Sequence, residues 1–197
     1  MRPRLALAAA ALGLALAGPA VAHTAAGLPG GFAAGFAHPF GGADHLLATV
    51  AVGLWGAVLG RPLVYALPAA FPLMMVVGAV LAMFGAPAPP VEIGIALSAL
   101  VLGTCVALAV RAPAGLALAM VGGFALFHGY AHGRELPSAA DPLGYSAGFV
   151  LATGLLHLAG VAIAALSASP AGRWVTRALG VLVALAGAGF LAQALAP

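Results

Sequence analysis

The stretch FHGYAHGRE, residues 127–135, sets His128 and His132 four positions apart and Glu135 three positions further on. On a helix, positions i, i+4 and i+7 line one face, so two imidazoles and a carboxylate project together. A second group occurs in HPFGGADH, with His38, Asp44 and His45. His157 stands alone in a later apolar run, and His23 near the start completes the six histidines. Imidazole nitrogens with carboxylates and no thiolate suit borderline divalent metals, Ni2+, Co2+, Zn2+ or Cu2+, better than Mg2+ or Ca2+. Affinity order alone does not choose among those four ions.

These groups stand out because the chain offers almost no others. Hydrophobic residues make up 64% and charged residues 6%, against about 45–50% and about 25% in an ordinary soluble domain. So few charges cannot build a wetted surface, and lipid must be the solvent for most of the chain. The 28 glycines and 15 prolines are flanked by apolar residues, which suits closely packed and locally broken transmembrane helices. The net charge of +3 comes from arginines scattered singly, with no lysine, so a nucleic-acid partner is not expected. Cys105 is the only cysteine, which leaves no intrachain disulfide and reads as a small packed thiol.

Residues 1–22 read as a secretory signal peptide: Arg2 and Arg4, an apolar stretch, then Ala20-Val21-Ala22 as an A-x-A cleavage site. Residues 23–197 then form one membrane transport domain. Cleavage would expose His23 at a free amino terminus, where amine and imidazole chelate together. An all-α membrane protein with about six transmembrane helices is predicted, over 31–59, 63–84, 91–110, 115–133, 143–166 and 174–195, near the roughly 20 residues that a crossing needs. The first, at about 1.5 Å per residue, would be roughly 43 Å long. It is expected to break near Pro39 and Gly41-Gly42, with Asp44 capping the helix that follows. With the mature N-terminus periplasmic, Arg61, Arg111, Arg173 and Arg177 fall on the cytoplasmic side and Arg134 outside, as the positive-inside rule requires. The C-terminus is then periplasmic as well.

Both polar motifs, H-x5-D-H at His38, Asp44 and His45 and F-H-G-x-A-H-G-x-E at 127–135, resemble the signatures of the HupE/UreJ family of nickel permeases. The resemblance extends to HLLATVAVGLWGAVLG after the first motif. It implies a small multi-span protein of the bacterial inner membrane that takes up nickel for hydrogenase or urease maturation. By motif match the functional residues carry over to His38, Asp44, His45, His128, His132 and Glu135. His157 and His23 are added from the reading of the residues themselves.

The expected mechanism is permeation of Ni2+ from periplasm to cytoplasm between the first and fourth spans, with His157 as an inner way-station. Nickel is cargo here, and no prosthetic group is expected. Protonated imidazole cannot ligate, so uptake should fall as the outside pH drops through about 6. No phosphate-binding loop occurs, so this chain does not couple ATP directly. The rival readings are an intramembrane histidine-ligated metalloenzyme and a haem protein. Six histidines without H-E-x-x-H fit the first poorly, and paired histidines across two spans would carry the second.

Overall fold

The computed structural model describes residues 31–135 and 141–196, with the side chain of Glu135 left aside. The proposed signal peptide and His23 lie outside these residues. The described residues form, in order, the α-helices α1 (Phe32–Gly41), α2 (Ala43–Leu59), α3 (Leu63–Met83), α4 (Val91–Ala107), α5 (Ala114–Glu135), α6 (Pro142–Ala165) and α7 (Pro170–Ala194). A 3-10 turn, Leu166–Ala168, joins the last two.

The six predicted apolar segments are all present. Helices α3, α5, α6 and α7 are long and apolar enough to cross a membrane, and α1 with α2 meets that test as a pair bent by 87°. Helix α4 is shorter, at 17 residues, and apolar apart from Glu92 in its first turn and the hydroxyls of Ser98 and Thr104. The protein is a multi-pass, all-helical membrane protein.

Helix α2 is the axis of the bundle. Residues Ala51 to Gly56 are buried without interruption, which puts every face of that stretch against protein. It packs against α1, α3, α4, α6 and α7. Helices α3 and α7 sit at the periphery, where Leu73, Val76 and Leu81 on one and Val181 and Leu185 on the other are exposed. In a bilayer such apolar faces meet acyl chains at no cost.

The break in the first span falls at Gly42. Pro39 lies inside the last turn of α1, and the chain turns only where Gly42 adopts extended backbone, φ −110° and ψ 116°. Gly42 is also the N-cap of α2, so Asp44 is not the cap that was expected. It sits in the first helical turn, where its negative charge still opposes the positive end of the helix. Helix α7 begins earlier than predicted, at Pro170. Ser169 caps it by accepting from the Gly172 N–H (3.0 Å), and proline occupies the first turn, where its missing N–H costs nothing. Asp141 and Pro142 start α6 in the same way.

Side-chain bonds group the connections at two ends. Trp55 Nε1 donates to the Val110 carbonyl (3.0 Å), tying the end of α2 to the α4–α5 connection. At the opposite end the Tyr130 hydroxyl donates to the Ala86 carbonyl (2.7 Å), tying α5 to the α3–α4 connection. Arg61, Arg111 and Arg173 belong to the first end, and Arg134 to the second.

Candidate metal centre

Helix α5 presents His128 and His132 one turn apart, as the spacing requires. What brings them to the first span is a close parallel contact between α5 and α3. At Gly129 a Cβ would overlap the Met75 carbonyl oxygen, and at Gly133 that of Ala79. Only glycine permits this approach, and it holds the intervening histidine face toward α2.

Four imidazoles then form a file. His38 and His132 have ring centroids 4.7 Å apart, His132 and His45 4.9 Å, and His45 and His128 4.9 Å. The file runs from half-buried His38 and His132 to His45 and His128, which are 5% and 0% exposed. The bend at Gly42 is what lets His38 and His45, seven residues apart in sequence, reach the same α5 residue, His132. The Phe149 ring of α6 touches three members, at 5.9 Å from His38, 5.4 Å from His45 and 4.7 Å from His132.

Within the file, nitrogens meet in pairs. His45 Nδ1 lies 3.0 Å from His128 Nδ1 and 3.4 Å from His132 Nε2. Metal–nitrogen bonds of about 2.0–2.1 Å place neighbouring ligand nitrogens about 2.9–3.4 Å apart, so these separations match edges of a coordination polyhedron. Among the described residues no three His, Cys, Asp or Glu side chains aim their donors at one common point. Holding an ion therefore requires the rings to turn on their χ angles.

One member is fixed by a residue that sequence reasoning missed. The Ser98 hydroxyl donates to the Ile95 carbonyl (2.6 Å), which uses its single proton. His128 Nε2, 2.9 Å from the same oxygen, must then be the donor, and a neutral His128 carries its lone pair on Nδ1. That nitrogen faces His45. A hydrogen bond on the far ring nitrogen that fixes the tautomer is the usual support for a metal-binding histidine. The only signal in the sequence was a serine in the middle of the apolar run GIALSALVLG.

The remaining predicted residues are placed as follows. Asp44 stands beside His45 with its carboxylate accepting the His45 backbone N–H (2.7 Å). Helix α5 extends to Glu135, but its side chain lies outside the described residues. His157 is 1% exposed and sits away from the file, its ring 5.4 Å from Phe71, which is itself 5.4 Å from His128. A pocket among α3, α5 and α6, walled by Pro72, Met75, Tyr145 and Phe149, reaches His132.

The HupE / UreJ protein family model matches residues 10–190 of this chain. The chain belongs to the HupE/UreJ family. It is 47% identical over 178 residues to Protein HupE of Rhizobium leguminosarum bv. viciae, covering 90% of this chain and 93% of that protein. No solved structure matches it. Both histidine motifs of this HupE/UreJ chain lie within the matched region, so the file is built from residues inside the family's span.

Proposed function

We propose that this HupE/UreJ protein is a permease for a divalent transition metal, Ni2+ as cargo, carrying it from periplasm to cytoplasm across the bacterial inner membrane. The observation that carries the reading is the file of four imidazoles, drawn from two separate spans and descending from half-buried to buried in an apolar bundle. An ion entering lipid must exchange its hydration shell for ligands, because unpaired charge there is expensive. The file supplies nitrogens in succession. Asp44, at the first turn of α2, and Glu135, ending α5, add negative charge that offsets the cation. Half-buried His38 and His132 are the receiving members, and His45 and His128 the inner ones.

Residues 1–22 act as a cleaved signal peptide in this reading, with both mature termini periplasmic and His23 as an accessory capture residue. The four arginines Arg61, Arg111, Arg173 and Arg177 then face the cytoplasm. Co2+, Zn2+ and Cu2+ are the competitors to test, since the donor set accepts them too. The protein acts as a carrier pathway and not as an enzyme, and it needs no prosthetic group.

The test is radioactive nickel uptake in a nickel-transport-deficient bacterium, comparing wild type with His132→Ala at matched membrane expression. Wild-type uptake that resists excess zinc and disappears in the variant is the expected result. Absence of uptake by well-expressed wild type would overturn the assignment, and uptake unaffected by the variant would move the pathway away from the file.

A further inference from the structure

Two helical stripes lead away from the histidine file, side by side. On α2, His45, Thr49 and Gly53 follow at intervals of four, and on α6 Phe149, Thr153 and His157 do the same, so each set shares a face. The register between them is pinned at both ends. The Phe149 and His45 rings are in contact at 5.4 Å. Two turns further along, α2 and α6 come so close that a Cβ on Gly53 would overlap the His157 carbonyl oxygen. Thr49 and Thr153 are the middle members of both stripes.

Thr49, Thr153 and His157 are 0%, 0% and 1% exposed, and neither hydroxyl nor either ring nitrogen of His157 has a hydrogen-bond partner. Other helical hydroxyls of this protein are handled differently. Thr104 Oγ1 donates to the Leu100 carbonyl (2.7 Å), Thr176 Oγ1 to that of Gly172 (3.1 Å), and Ser98 Oγ to that of Ile95. Returning a hydroxyl to the preceding helical turn is the ordinary solution for an apolar setting. Thr49 and Thr153 do not take it, although burial without a partner is costly.

We propose that Thr49, Thr153 and His157 form a second cargo station, beyond the four-histidine file and separated from it by the Phe71 ring. This inference rests on the permease reading. One imidazole nitrogen and two neutral hydroxyl oxygens form a poorer donor set for a borderline metal than a file of imidazoles. A strong receiving site followed by a weaker one gives what conduction needs, binding tight enough to capture and loose enough to release. The hydroxyls also suit the water molecules that a partly hydrated ion keeps, since each both donates and accepts.

The test uses the full chain in proteoliposomes, measuring nickel influx together with equilibrium nickel binding. Thr49→Val/Thr153→Val removes both hydroxyls while keeping side-chain shape. Binding is expected to stay within about twofold of wild type while influx falls about tenfold or more, as loss of hydrogen bonds to a charged group implies. Thr49→Ser/Thr153→Ser, which restores the hydroxyls, is expected to restore influx. His157→Phe is read in parallel and should show the same split, so that poor folding of the valine pair does not decide the matter. Influx within about twofold of wild type in His157→Phe or the valine pair would overturn the inner station and leave the file standing if His132→Ala still abolishes transport. A wild type that neither binds nor moves nickel would overturn the permease reading and the station with it.

Discussion

The two ends of α2 show how one helix serves two purposes. In its first turn His45 is packed among other polar rings, and its environment is built from His128, His132 and Phe149. In its last turns Trp55 is sealed at 0% exposure, and its indole N–H is spent on the Val110 carbonyl. Both ends are buried, so burial does not distinguish them. What differs is whether polar atoms are consumed by the fold. At the tryptophan end a single backbone carbonyl closes the account. At the histidine end His45 Nδ1 donates to the lone pair on His128 Nδ1, and the other ring nitrogen of His45, buried Nε2, is left without a partner for its lone pair.

That contrast predicts variants that separate transport from stability. His45→Ala removes the ring shared by two nitrogen contacts, and nickel uptake should fall about a hundredfold or more, beyond the roughly 10–100-fold loss typical of an outer hydrogen-bond partner. Retention of uptake in that variant would erase the distinction between the two ends. Ser98→Ala frees the His128 tautomer without touching the file's shape. Nickel affinity measured on the purified protein should weaken about tenfold, with thermal unfolding in detergent little changed.

Trp55→Phe should do the reverse, lowering stability by about 1 kcal/mol through the lost hydrogen bond and leaving uptake per folded molecule intact. Thermal unfolding in detergent and uptake normalised to folded protein give the two readings. Tyr130→Phe is the finest control, because Tyr130 lies at the histidine end but spends its hydroxyl on the Ala86 carbonyl. Its expected effect is a loss of about 0.5–1 kcal/mol in unfolding measurements and no change in nickel uptake. A transport defect there would show that position at that end matters apart from contact with the file.

Much of this was legible before any coordinates. The six apolar segments follow from composition and punctuation, because a chain with so few charges has only lipid to fold in. The face shared by His128 and His132 follows from helical period. Helix starts at Ser169-Pro170 and Asp141-Pro142 were also readable in principle, since both carry a capping side chain followed by proline. The placement of Asp44 as a cap failed because a glycine with extended backbone ended α1 and began α2 without help from any side chain.

Residue types and their spacing along each helix determined that this protein spans a membrane, that its first span breaks near Pro39, and that its polar groups come as two histidine motifs. Those features are local, set by solvent preference and by helix geometry within a few turns. Only the tertiary structure decided that the motifs join into one file, that Ser98 fixes the His128 tautomer, and that Thr49 and Thr153 stand unpaired beside His157. Each of these depends on the register between helices distant in sequence. That register is set by glycines allowing backbones to touch, at Gly129 and Gly133 against α3 and at Gly53 against α6, and nothing in the order of residues along one helix specifies which neighbour it will meet.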